Sequence, residues 1–294
     1  MAGWCLVKPA PFQYVRPSTV DEAVGVLGEH GDDAKILAGG QSLLPLLNLR
    51  LAVPSVLVDI SRLRQLRGAS LSGAGATRYG ACVVHSEIED GVVPDRSAGL
   101  IRAAAAGIGY RAIRNRGTLG GSLAHSDGSA EWPVIMAALG AEVLARSARG
   151  ERAVSCREFV QGFFTNALHE DELIVGVDVP PVKPGARWGL HKAARKPGEF
   201  ADSLAVAVVD VAPDGVVRSA DVWLGAARDV PLRLPGVENA MTGRRPTDLS
   251  RSEVVELVAE QCRSGIDGPS RYAAHLHGVT VARALAQLTA QGEG

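Results

Sequence analysis

The sequence predicts an α+β protein built in two parts, and three observations carry that prediction. The chain has 294 residues, the upper limit for one hydrophobic core. A short apolar run, residues 34–38 (AKILA), enters Gly39-Gly40-Gln41-Ser42, then an apolar helical stretch and a second run, Val56–Asp59. This is a strand, glycine turn, helix, strand unit. After Val179-Pro180-Pro181-Val182-Lys183-Pro184-Gly185, strands come first and helices follow, the order of a small α+β domain.

Ser18 is a good N-cap with Asp21 three residues on. Val20, Ala23, Val24 and Leu27 then recur at helical spacing, and Gly31 supplies a stop. Residues 34–38 and Val56–Asp59 read as buried strands, the second set off by Pro54. Residues 68–90, rich in Gly, Ser, Thr and Val, read as short strands, and 98–110 as a helix. Residues 114–122 (RNRGTLGGS) read as a tight polar glycine loop. A helix over 129–139 follows, with Ser129 as cap and Pro133 in the first turn, where proline is tolerated. Strands are expected around 141–146 and 152–154, then a helix from Ser155. Beyond the prolines, strands at 204–211 and 216–224 are joined by Ala212-Pro213-Asp214-Gly215, a hairpin signal. Helices over 251–262 and 271–288 close the chain.

Composition excludes several functions. With 31 Lys+Arg against 32 Asp+Glu, the chain has no global field to hold nucleic acid or an anionic membrane. The N-terminal residues show no apolar core behind a basic stretch, so no secretory signal is expected. The apolar run 132–141 is about half of the ~20 residues a membrane span needs. A cytoplasmic protein is therefore expected. Cys5, Cys82, Cys156 and Cys262 lie far apart, so free buried thiols are expected rather than a metal or cluster site. Glycine, at 34 residues, is well above the usual ~7 %, while aromatics are only 4 %; this suggests backbone used as a binding surface.

Two segments concentrate the glycines: Ala38-Gly39-Gly40-Gln41-Ser42 and Thr118-Leu119-Gly120-Gly121-Ser122. Paired glycines allow positive φ and close approach of a ligand, and successive N–H groups in such a bend form an anion nest. Gln41, Ser42, Thr118 and Ser122 add donors. Two such bends would clamp a pyrophosphate, while each alone also reads as an ordinary tight turn. No GxGxxG follows a strand and no GxxxxGK[ST] occurs, so Rossmann and P-loop sites are disfavoured. Arg114 and Arg116 flank the second bend and suit phosphate, a partner's carboxylates or solvent. His125 and Asp127 lack a nucleophile in a recognisable elbow, which argues against a hydrolase. Glu131 complements its helix dipole and could also accept from a ribose or flavin group.

These residues carry a resemblance. AKILAGGQSLLPLLNLRLAVPSVLVDI (34–60) and IRNRGTLGGSLAHSDGSAEWP (113–133) resemble the FAD-binding medium subunit of the molybdenum hydroxylases, the family of xanthine and carbon monoxide dehydrogenases. KPAPFQYVRPSTVDEAVGVL (8–27), DELIVGVDVP (171–180), KAARKPGEFA (192–201) and HLHGVTVARAL (275–285) also fit, in the right order. The resemblance implies an FAD-binding domain of the vanillyl-alcohol oxidase (PCMH) type over 1–178 and a carbon monoxide dehydrogenase flavoprotein-like α+β domain over 179–294. It places Ile36, Leu37, Ala38, Gly39, Gly40, Gln41, Ser42 and Leu43 on the cofactor, together with Thr118, Leu119, Gly120, Gly121 and Ser122. Glu131 would be the acidic residue closing the second motif, Ile174 an apolar neighbour of the isoalloxazine, Lys192 a lysine further on, and Ile108 an upstream contact. Gly128 stands where the family usually has proline, and Ser122 where asparagine is frequent, so the adenine side should differ.

The resemblance also implies a division of labour. Substrate is hydroxylated at a molybdopterin-type molybdenum cofactor on a large partner subunit. Electrons cross 2Fe–2S clusters on a small partner, reach FAD on this chain and leave to an external acceptor. The assembly would be a dimer of heterotrimers, and no residue of this chain need be catalytic. The alternative is a self-sufficient flavin oxidase or reductase, which would need acid–base residues such as His191, His275 or His277 ordered in the C-terminal part. A structural nucleotide-binding subunit is the non-enzyme alternative.

Overall fold

The computed structural model describes residues 8–72, 75–263 and 270–290; Cys5 lies outside them. Three sheets of three or more strands organise the described residues. The first is wholly parallel, with Val56–Asp59 between Gln13–Val15 and Ala34–Leu37. All four residues of Val56–Asp59 are buried: Val56, Leu57 and Val58 form the apolar run expected of a strand covered on both faces, and Asp59 is paired with Tyr14 and Arg16. The Val20–His30 helix covers this sheet with Val20, Ala23, Val24 and Leu27. Its cap is Thr19, not Ser18: the Thr19 hydroxyl accepts the Glu22 amide at 3.1 Å, while Ser18 donates to the Glu22 carboxylate.

The second sheet is antiparallel, ordered Ala69–Leu71, Thr77–Gly80, Leu173–Val179, Glu142–Ser147, Gly150–Ser155. Short strands were expected over 68–90, but only Ala69–Leu71 and Thr77–Gly80 are strands and His85–Glu89 is helical. The Glu87 carboxylate bonds back to the Val84 amide at 2.9 Å and fixes that turn. The Leu100–Ala106 helix is shorter than 98–110 because Gly107 and Gly109 follow. The Glu131–Ala138 helix is buried on all sides, and Ala130 rather than Ser129 is its N-cap.

The third sheet is antiparallel: Arg187–Ala193, Ser203–Val211, Val217–Gly225, Leu232–Arg233. Its central strand alternates. Leu204 and Val206 join the large core around the Glu131–Ala138 helix, whereas Ala205, Ala207 and Val209 face the helices Arg251–Arg263 and Arg271–Ala290. The C-terminal part is thus packed on the N-terminal part, and residues from both reach one cleft. The edge strand Arg187–Ala193 and the Pro235–Met241 helix were not anticipated. Among the described residues no helix is long and apolar enough to cross a membrane, and no cluster of His, Cys, Asp and Glu could hold a metal ion. Cys82, Cys156 and Cys262 are free and buried, and burial pushes the Cys82 and Cys156 thiols up to about 12.

Candidate functional site

The first glycine motif begins where the strand Ala34–Leu37 leaves the parallel sheet at its C-terminal end, the place where open parallel sheets leave a crevice. Gly40 has φ +74, and Leu44 closes the turn by donating to the Gly40 carbonyl at 3.2 Å. This opens the Leu43–Asn48 helix. Among the described residues, the amides of Gly40, Gln41, Ser42 and Leu43 donate to no protein group. Four adjacent unspent donors form a cradle for oxygen acceptors.

The second motif is not the loop that its glycines suggest. Thr118 is the N-cap of a helix, Leu119–His125, and its hydroxyl accepts the Gly121 amide at 3.0 Å. Leu119 donates to Val83, Gly120 to Ala81 and Ser122 to Thr118, each at 3.0 Å. The amides of Leu119, Gly120, Gly121 and Ser122 are thus spent inside the protein, so the expected pair of equivalent nests becomes one nest and one closed helix start. Gly120 serves packing: a Cβ there would lie 2.7 Å from the Ala81 Cβ and 2.8 Å from the Ala81 carbonyl oxygen.

Both motifs border one cleft of about 850 Å³. Ile36, Ala38, Gly39, Gly40, Gln41, Ser42 and Leu43 line it from one side. Thr118, Gly120, Gly121 and Ser122 line it from the other, with Ile108, Glu131, Ile174 and Lys192. Leu37 and Leu119 do not. Leu37 alternates with Ile36 along its strand, and its Cδ1 faces Gly40; Leu119 is fully buried in the main core.

The Lys192 ammonium donates to Glu131 at 2.6 Å and to the Gly107 carbonyl at 3.2 Å. Burial raises the Glu131 carboxyl above the usual carboxylate range, opposed by the Lys192 charge. Arg114 spends its guanidinium on Glu89 (2.8 and 2.9 Å) and on the carbonyls of Ile108 and Gly109 (3.0 Å each). It therefore fixes the loop that carries Ile108. Arg116 is exposed and makes no such bonds among the described residues. His125 stacks on Phe164 with centroids 4.7 Å apart, while Asp127 accepts the Ser129 amide at 2.8 Å; the two do not form a dyad. His191, His275 and His277 are absent from the cleft lining. His277 is buried against the Ser203 hydroxyl at 2.9 Å.

Sequence reasoning missed His85, which lines the cleft although only 4 % exposed. Nothing local marks it: its placement depends on Gly117 and Trp132, far away in the chain. Phe164, Gly198, Glu199 and Phe200 are further lining residues outside the anticipated set.

A nest at the end of a parallel strand, glycines on both sides and a cleft of dinucleotide size define a dinucleotide-binding α+β protein. The chain belongs to the family of FAD-binding medium subunits of the molybdenum hydroxylases. Residues 10–182 match the FAD binding domain in molybdopterin dehydrogenase, and 188–288 the CO dehydrogenase flavoprotein C-terminal domain. It is similar to the 6-hydroxypseudooxynicotine dehydrogenase complex subunit alpha of Paenarthrobacter nicotinovorans, with 34 % identity over 96 % of this chain and 95 % of that protein. The carbon monoxide dehydrogenase medium chain of Hydrogenophaga pseudoflava is 32 % identical over 94 % of this chain and 96 % of that one. A solved carbon monoxide dehydrogenase from that organism superposes with a TM-score of 0.88 at 32 % identity, covering 96 % and 99 % of the two chains. Quinoline 2-oxidoreductase from Pseudomonas putida 86 gives 0.87 at 31 % identity, covering 98 % and 100 %. The cofactor of this chain is FAD, and the unspent amides of Gly40–Leu43 suit its anionic bridge. The protein is an oxidoreductase subunit.

Proposed function

We propose that this chain accepts electrons from 2Fe–2S clusters of a small partner subunit and delivers them to an external acceptor. In the same reading a large partner carries the molybdopterin-type molybdenum cofactor, and the assembly is a cytoplasmic dimer of heterotrimers. FAD, when bound, supplies the redox chemistry that couples the two electron transfers. The chain's own residues bind and orient. Gly40–Leu43 offer amides to the diphosphate, and Thr118 and Ser122 offer hydroxyls. Ile108 and Ile174 give apolar walls, and Lys192 is held by Glu131. The division between the two parts falls at the prolines of 179–185. The observation that carries the reading is the row of unspent amides in a cleft shared by both motifs.

A self-sufficient oxidase would need acid–base residues of the C-terminal part, and among the described residues His191, His275 and His277 do not line the cleft. The test is native mass spectrometry of the purified assembly with flavin, iron and molybdenum counts. The expected result is one FAD per copy of this chain, with iron and molybdenum on co-purifying chains. A flavin-loaded chain that turns over substrate without partners would overturn it.

A further inference from the structure

His85 stands apart from the residues so far placed on the cofactor. It opens the His85–Glu89 helix, and the chain around it is zipped to the second glycine motif. The His85 amide donates to the Gly117 carbonyl at 3.0 Å, Leu119 donates to Val83 at 3.0 Å, and Val84 bridges Thr118. The imidazole is held from behind: Trp132 Nε1 donates to His85 Nδ1 at 3.1 Å, with the rings 5.9 Å apart. Trp132 is fully buried and follows Glu131 on its helix.

This contact fixes the tautomer. An indole N–H only donates, so Nδ1 accepts and the ring proton sits on Nε2. Among the described residues Nε2 has no hydrogen-bond partner. It lies beside Gly117, where a Cβ would come within 2.8 Å of it. Gly117 in turn lies against Gly39, so the nitrogen sits where the two glycine motifs meet. His85 is only 4 % exposed and lines the cleft, so a donor there with no protein acceptor is left for whatever fills the cleft.

We infer that His85 is a further cofactor-contacting residue, whose neutral Nε2–H donates to an oxygen of the bound dinucleotide at the junction of the two glycine motifs. The inference rests on FAD occupying this cleft. Burial and the nearby Arg114 charge lower the imidazole to about 4, so the donor carries no net charge at neutral pH. The acceptor belongs to the oxygen-rich middle of the cofactor, since Gly117 lies against Gly39 and precedes Thr118, between the two glycine motifs. Trp132 is then a positioning residue, setting the tautomer.

Two variants separate this role from packing. His85→Asn keeps an acceptor near the Nδ1 position for Trp132 but removes the donor facing the cleft. His85→Gln places an amide N–H near the Nε2 position. FAD affinity of the full chain is read by flavin fluorescence after deflavination, with circular dichroism as the folding control. His85→Asn should bind about tenfold more weakly, and His85→Gln should recover most of the loss. In the 15N-labelled wild-type chain, the His85 Nε2 resonance should shift on adding FAD, a readout independent of any variant's folding. Equal affinity of wild type and a folded His85→Asn, or an unmoved Nε2 resonance in FAD-saturated protein, overturns the inference and leaves the cleft assignment standing. A wild-type chain that binds no FAD overturns both.

Discussion

The Lys192 ammonium lies 2.6 Å from the Glu131 carboxylate, joining a strand of the C-terminal sheet to a helix of the N-terminal part inside the cleft. Both side chains are largely buried, at 17 % and 7 % exposure. Burial lifts the Glu131 carboxyl, so the folded chain holds that proton more tightly than the unfolded one. Its contribution is therefore present at low pH and is lost as pH rises through the folded carboxyl's range. Lys192→Met removes the charge that offsets this effect. The variant should lose about 3 kcal/mol at alkaline pH, where it strands a buried carboxylate, and much less near pH 5. Urea unfolding at both pH values checks this. Adding Glu131→Gln should flatten the difference, and a pH-independent loss would show that the pair does not couple as described.

Gly39 packs against the backbone of the second motif. A Cβ on it would lie 2.1 Å from the Arg116 carbonyl oxygen and 2.9 Å from the Gly117 Cα, with no flexible side chain able to yield. Gly39→Ala should thus separate the motifs, destabilising the chain by about 2 kcal/mol and releasing FAD. Gly28, with nothing near its Cβ position, is the control, and Gly28→Ala should keep full flavin. Thermal melting and the flavin-to-protein absorbance ratio decide the matter. A Gly39→Ala protein with wild-type flavin content would mean that the motifs need not touch.

Much of this was legible in the chain. Val56–Asp59 and the hairpin around Asp214-Gly215 follow from continuous apolar runs and turn chemistry, which are local signals. The first motif's turn was visible because it depends on Gly40 itself. The second motif was misread as a loop because its amides are spent on Ala81 and Val83, partners well before it in the chain. The strand Arg187–Ala193 mixes Trp, His and Lys, and sheet pairing rather than pattern makes it a strand. His85 carried no local mark at all, because its orientation is set by Trp132, 47 residues on.

The two arginines beside the second motif should behave differently. Arg114 is 13 % exposed and ties Glu89 to the carbonyls of Ile108 and Gly109. Arg114→Ala should cost about 3 kcal/mol and weaken FAD binding by loosening the Ile108 loop. Arg116→Ala should change stability by less than about 0.5 kcal/mol and leave flavin in place. If Arg116 faces a partner, only the assembled complex will register its loss. Calorimetry of the isolated chain together with gel filtration of the complex distinguishes these outcomes.

The buried imidazole of His85 sets an acid limit on the fold. Its ordinary value near 6.5 falls to about 4 in the folded chain, chiefly through burial, with Arg114 adding to the effect. The folded chain therefore binds this proton more weakly than the unfolded one. The resulting stability is complete above about pH 6.5 and is lost as pH falls toward 4, about 3 kcal/mol in all. Protonation would also take the Nδ1 lone pair that Trp132 uses, so acid and the loss of that contact act together. His85→Asn has no group titrating in this range. With flavin removed from both proteins, unfolding midpoints at about pH 7 and pH 4.5 should fall steeply for wild type and less for the variant. Parallel declines would place the acid sensitivity in other groups and remove His85 from the account.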